Sequence, residues 1–154
     1  MKEIQLTQGK VAIVDDDDFE RVNQYKWCYD GQGYATGSVD GKQERMHRFI
    51  LKAKHGQHID HISMDGLDNR RRNIRICNNS QNHANTRLRS DNTTGYKGVS
   101  FIKRDNIFQA KIEVNGHHMN LGSFTNPIDA AVKYNEAALK YFGEFARLNV
   151  VEAQ

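Results

Sequence analysis

The chain is short of cysteine, and the two it has, Cys28 and Cys77, stand far apart. With no CxxC pair there is neither a disulfide framework nor a zinc finger to build on. No apolar run approaches the ~20 residues that a membrane span needs. The first six residues, Met1 to Leu6, lack the apolar core of a signal peptide, so cytoplasmic residence without a membrane partner is expected. Excess charge is scarce too, at a net +3. Its placement is more telling than its size. Residues 1–55 carry nine basic and nine acidic side chains, and residues 91–154 carry seven of each. The whole excess lies in 56–90, where Arg70, Arg71, Arg72, Arg75, Arg87 and Arg89 face Asp60, Asp65 and Asp68. Arginine without lysine suits planar, bidentate contact with phosphate. A solvated charge run is the plainer alternative.

At 154 residues the chain suffices for one ordinary domain or two small modules, and its 38% hydrophobic and 27% charged residues are those of a soluble globular protein. Ile4 to Val14 reads as strand with a turn at Gly9. The four carboxylates Asp15 to Asp18 repel one another, and read as an exposed turn capping a helix from Phe19 to Tyr25. Trp27, Tyr29 and Tyr34, interleaved with glycines, read as an aromatic hairpin that closes near Asp40-Gly41. Met46 to Leu51 is a short helix or strand in which His47 and Arg48 could face a substrate, though a structural role for His47 is the commoner outcome.

The stretch from His58 to His83 is the chemical centre of the sequence. It holds Asp60-His61, a polar loop with Asp65, Gly66 and Asn69, then Asn73-Ile74-Arg75-Ile76, then Asn78 to His83. Gln57 to Ile62 and Asn73 to Cys77 pair as antiparallel strands, with Ile74 and Ile76 on one face and Asn73, Arg75 and Cys77 on the other. Asn78 can cap the following helix, with Gln81 reciprocating. A hairpin followed by a helix is the minimal frame for one hard divalent metal beside one general base.

Arg89 to Thr94 is polar and reads as a linker. Beyond it, Tyr96 to Lys103, Ile107 to Val114 and His118 to Phe124 are three strands, with Asn115-Gly116 a strong hairpin signal. Asn126 caps a helix that has Pro127 at its first position and ends at Gly143. Its apolar stripe is Ile128, Ala131, Val132, Asn135, Ala138, Leu139 and Phe142. A three-stranded sheet backed by one helix leaves its other face free, with Lys97, Lys111, His118 and Asn120 on it, and such a face can enter a major groove.

Two families resemble these segments. Residues 57–88 resemble the HNH nucleases, the ββα-metal group, in a phage-type form: Asp60-His61-Ile62, Asp65-Gly66, Asn69-Arg70, Asn73-Ile74-Arg75 and Ser80-Gln81-Asn82. Residues 94–149 resemble the plant Apetala-two/ethylene-response-factor DNA-binding domain through Gly95-Tyr96-Lys97-Gly98-Val99, Ala110-Lys111-Ile112, Leu121-Gly122-Ser123-Phe124, Asp129-Ala130-Ala131, Tyr134-Asn135-Glu136-Ala137-Ala138 and Leu148-Asn149. Residues 1–55 are similar to the N-terminal part of free-standing phage endonucleases that combine both. The fold class is then α+β: a β-rich segment (1–55) and a ββα-metal core (56–89) in a nuclease domain 1–89, a linker 90–94, and a DNA-binding domain 95–150.

The resemblance to the nucleases implies that His61 is the general base, that Asp60 and Asn82 hold a magnesium-like ion, with manganese as an alternative, and that Asn73 orients the base through a backbone hydrogen bond. Many members have histidine as the last ligand, which makes His83 the fallback for Asn82. The plant-type domain implies DNA contacts at Lys97, Ser100, Lys111, His118 and Asn120, and the cluster Arg70, Arg71, Arg72 and Arg75 would add phosphate contacts. The resulting expectation is a homing-type DNA endonuclease that nicks double-stranded DNA as a monomer or weak dimer, in the cytoplasm of a bacterial or phage-infected cell. The rival is a non-catalytic DNA-binding regulator with a relic nuclease motif.

Overall fold

The computed structural model describes residues 1–151. Helix accounts for 27% and strand for 32%, and every strand pair is antiparallel apart from one isolated bridge, so the class is α+β with several small sheets. The chain divides into two compact units, Met1–Asn78 and the part from Asn79 onward.

In the first unit β1 (Lys2–Gln5) and β2 (Val11–Val14) pair across a tight turn at Thr7–Gly9. The helix α1 spans Asp16–Val22, so it starts three residues before the expected Phe19 and takes the carboxylate run into its first turn. There the acids complement the helix dipole. The expected exposed turn is corrected most sharply at Asp18, which is 3% exposed and answered by two arginines. Strands β3 (Trp27–Tyr29), β4 (Ala35–Val39) and β5 (Lys42–Arg45) form a meander, and α2 (Met46–Leu51) follows as a helix. The core gathers Ile4, Val14, Val22, Trp27, Ala35, Met46, Ile50 and Ile74. Trp27 is buried with its indole N–H donated to the Val22 carbonyl at 2.8 Å, which lets a polar handle sit in an apolar centre.

The ribbon β6 (His58–His61) with β7 (Ile74–Cys77) closes this unit. Ile74 is buried but Ile76 is 46% exposed, so the face expected to be uniformly apolar is buried at one end only. The ribbon runs past the core: His61 and Ile74 pair over it, and Ile59 and Ile76 pair nearer its edge. The connecting loop is held by β2, whose Ile13 accepts the Asn69 N–H and donates to Leu67 O, both at 2.8 Å.

The second unit begins with α3 (Asn79–Ala84). Strands β8 (Val99–Ile102), β9 (Ile107–Val114) and β10 (His117–Phe124) lie in the order β10-β9-β8. Tyr96 and Lys97, expected in the first strand, precede it. Asn115 and Gly116 both take positive φ, 52° and 80°, as a tight two-residue hairpin requires. The helix α4 (Pro127–Phe142) starts where expected, with the Asn126 side chain accepting from the Ile128 N–H at 2.8 Å. Its buried face is Ala130, Ala131, Tyr134, Ala137, Ala138 and Phe142, whereas Val132 and Leu139 of the expected stripe are 39% and 53% exposed. Tyr134 sets that rotation: its ring packs flat on Gly98, where the chain has φ +73° and a Cβ would collide with it. Among the described residues no helix is long and apolar enough to cross a membrane.

Candidate active site

Cross-strand partners share a face and neighbours along a strand alternate. Asp60 stands opposite Arg75, and His61 opposite Ile74, so Asp60 and His61 leave the ribbon on opposite sides. Both are buried, at 5% and 6% exposure. Burying a carboxylate needs a partner, and Arg75 supplies it through Nε at 3.0 Å and Nη2 at 2.8 Å, both to Oδ2. His61 instead faces the core side, its ring centroid 4.9 Å from that of His47 and 5.8 Å from that of Tyr34. Room for this trio depends on Gly66, where a Cβ would come within 2.7 Å of a Tyr34 ring carbon.

The protonation of His61 follows from its hydrogen bond. Its Nε2 lies 3.3 Å from Asn69 Oδ1. The Asn69 amide donates to Leu67 O at 3.1 Å and Gly66 O at 3.5 Å. Carbonyl oxygens accept only, so the Asn69 nitrogen must point at them and its oxygen at the imidazole. An oxygen acceptor there requires the proton on Nε2, which leaves the lone pair of neutral His61 on Nδ1. Burial pushes the His61 pKa below the ordinary histidine value, opposed by the Asn69 bond and by the Asp60, Asp65 and Asp68 charges. At neutral pH the ring is therefore the unprotonated form a general base needs. His47 is driven further, down to about 3, by burial and then by the neighbouring His61. Its Nδ1 is buried with no hydrogen-bond partner among the described residues.

Asn73 sits one turn away and works on the loop. Its Oδ1 accepts the Ser63 N–H at 2.9 Å, its Nδ2 donates to Asp68 O at 2.7 Å, and its carbonyl accepts the Ile62 N–H at 2.8 Å. The last of these is a backbone bond across the hairpin. The side chain touching the imidazole is Asn69, whose role sequence reasoning missed. Its one signal was an amide residue inside the polar loop of the motif.

Three of the four clustered arginines are committed to carboxylates. Arg70 binds Asp68 through Nε at 2.7 Å and Nη2 at 2.5 Å. Arg71 binds Asp18 at 2.7 and 2.8 Å, sharing it with Arg21 at 2.8 Å. Burial acts to raise the Asp18 pKa, yet the two guanidiniums hold it below the usual carboxylate range. Arg75 belongs to Asp60. Arg72 is exposed and enters no ion pair among the described residues.

In the second unit, Asn82 is half-buried and His83 exposed on α3. Ser100, Lys111, His118 and Asn120 come together on the open face of the sheet: Asn120 pairs with Lys111, His118 with Glu113, and Ser100 with Gln109. All four are exposed. Lys97 does not share that face. Its Nζ donates to Ala84 O at 2.6 Å and Thr86 O at 3.1 Å, and burial brings its pKa down to about 8. The position before Gly98 turns the side chain toward α3, which strand alternation counted from Tyr96 could not reveal.

Comparison with known proteins decides what this arrangement belongs to. No family model matches the chain. It is, however, 30% identical to a protein of Acanthamoeba polyphaga mimivirus named "Uncharacterized HNH endonuclease L560", in an alignment of 151 positions that covers 94% of this chain and 78% of the relative. The chain belongs to the HNH endonuclease family. The likeness runs through both units and is not confined to the hairpin.

Members of the HNH endonuclease family typically use a divalent metal, and the donors here can be tested against one. Among the described residues no three His, Cys, Asp or Glu side chains are grouped to hold an ion. Asp60 is a hard carboxylate donor of the kind such an ion takes, and in this structure it is paired with Arg75.

Proposed function

We propose that this HNH family member is a metal-dependent endonuclease that hydrolyses phosphodiester bonds in double-stranded DNA, nicking one strand. The observation that carries the reading is the buried His61 imidazole, directed by Asn69 to keep its proton on Nε2 and its lone pair on Nδ1. His61 takes a proton from water at Nδ1 as the water oxygen attacks phosphorus. The bond from phosphorus to the 3′ oxygen breaks and that oxygen takes a proton from solvent water, leaving a 5′-phosphate and a 3′-hydroxyl. Asp60 and Asn82, with His83 as the fallback, would hold the ion. Bound there, magnesium, or manganese in its place, would supply charge stabilisation to the hydrolysis. Adjacent strand positions point to opposite faces, which suits a base and a metal-holding carboxylate that serve opposite sides of one phosphate.

Residues 1–89 carry the cutting function in this reading, and residues 95–150 form an Apetala-two-like domain that meets DNA with Ser100, Lys111, His118 and Asn120. The exposed Arg72 is the member of its cluster best suited to phosphate. One site and one DNA-reading face per chain suit a monomer.

A second reading, a DNA-binding regulator that does not cut, draws on the Asp60–Arg75 pair, which already neutralises the carboxylate meant for the ion. A supercoiled-plasmid assay with magnesium separates the two. The wild type is expected to give the open-circular form, and His61→Ala to be slower by about a thousandfold. No conversion by wild type with magnesium or manganese supports the regulator, and full activity of His61→Ala overturns the choice of base.

A further inference from the structure

Lys97 leaves the expected DNA face and goes somewhere specific. Asn149 holds its main chain from both sides, accepting its N–H at Oδ1 (2.6 Å) and donating Nδ2 to its carbonyl (3.0 Å). With the backbone fixed there, the side chain reaches the end of α3. Its Nζ donates to Ala84 O at 2.6 Å, Thr86 O at 3.1 Å, Thr86 Oγ1 at 3.2 Å and His83 O at 3.4 Å. The last carbonyls of a helix have no partners within it and carry the negative end of its dipole, so an ammonium there answers both needs.

A six-residue helix is far too short to persist by itself. The rest of the second unit supplies what it lacks. At its start, Ser80 Oγ accepts the Asn115 N–H from the β9–β10 turn at 3.0 Å. At its end, the Arg147 N–H donates to Ala84 O at 3.3 Å. On its inner side, Ala84 is buried in a cluster with Ile112, Tyr134 and Phe142.

We propose that Lys97 is a positioning residue for Asn82, acting through its hold on the end of α3. The role of Asn82 rests on the nuclease reading above. The hold of Lys97 on α3 does not. Damage to Lys97 then registers as a defect in metal use and cutting, whereas damage to the sheet face registers as a defect in DNA affinity.

Full-length Lys97→Met, Ser80→Ala and Lys111→Met test this through three readouts: amide exchange of residues 79–84, binding of a labelled duplex without divalent metal, and the magnesium concentration giving half-maximal plasmid nicking. For Lys97→Met the expected result is about tenfold faster exchange in 79–84 and about a tenfold higher magnesium midpoint, with metal-free duplex binding within about twofold of wild type. Ser80→Ala shows the same pattern more weakly, and carries the test if Lys97→Met fails to fold. Lys111→Met weakens duplex binding and leaves exchange in 79–84 unchanged. The proposal is overturned if Lys97→Met binds duplex as poorly as Lys111→Met while exchange in 79–84 stays at the wild-type rate. A wild type that nicks nothing overturns the cutting reading and the role of Asn82 with it. A nicking enzyme whose exchange and magnesium midpoint ignore Lys97 and Ser80 overturns the positioning role alone.

Discussion

The hairpin site and the open face of the second unit's sheet are made of similar residues under opposite conditions. His61, Asn69 and Asn73 are buried, and both asparagines have donor and acceptor engaged. His118, Asn120 and Lys111 are exposed, with contacts such as the 3.8 Å approach of His118 to Glu113. Burial turns each polar group into an obligation, because an unmatched donor or acceptor away from water costs about 1–3 kcal/mol. Exposure removes that obligation, since water can replace any partner. The first region thus has a fixed geometry, as the cutting role proposed for it requires. The second is built for many replaceable contacts with a surface.

That contrast can be broken most decisively at Asn73. Asn73→Ala strands the Asp68 carbonyl in the interior and leaves the part-buried Ser63 N–H without its acceptor, and is expected to cost about 3 kcal/mol of stability. The single tryptophan, Trp27, lies in the core of the same unit, so its fluorescence in a urea titration reports the loss. A cost below about 1 kcal/mol would mean that the loop does not depend on this residue.

His47 sharpens the comparison through pH. Its pKa in the folded chain is about 3, against an ordinary value of 6.5. Below 6.5 the unfolded chain therefore takes up a proton that the folded chain refuses. Stability then falls with falling pH, by about 1.4 kcal/mol per unit in the window between the two values. His61 is shifted in the same direction and adds to the slope. His47→Phe is expected to flatten the slope between about pH 6 and pH 4 by up to about 1.4 kcal/mol per unit, read from urea midpoints across that range. An unchanged slope would show that the ring is charged in the fold.

The smallest effect is expected on the open face. Lys111→Ala should weaken duplex binding about threefold and lower the slope of log affinity against log salt by about 1, with stability within about 0.5 kcal/mol of wild type. Fluorescence anisotropy at several salt concentrations measures both. A loss of folding stability comparable with that of Asn73→Ala would erase the difference between the two regions.

What could be read from the residues depended on range. The Asn115-Gly116 turn, the Asn126-Pro127 helix start and the pairing of the two motif strands all emerge as expected, because each is decided by a few neighbouring residues. The expectations that failed needed information from far along the chain. The stripe of α4 is rotated away from Val132 and Leu139 because Tyr134 must lie on Gly98. Asp18 is buried because Arg71, 53 residues later, comes to it. Lys97 points away from the sheet face because Asn149, 52 residues later, holds its backbone.

The sequence by itself determined the kind of protein: an HNH motif in order, too few cysteines for a zinc finger or a disulfide framework, and an antiparallel three-stranded module ending in one long helix. The motif is legible through its resemblance to a known family, and the rest follows from composition, period and spacing, which the chain carries locally. The tertiary structure alone decided which nitrogen of His61 bears the proton, which arginines are neutralised, and which lysine secures α3. Each of those depends on which donor meets which acceptor once water is gone, and that pairing exists only after distant segments have packed.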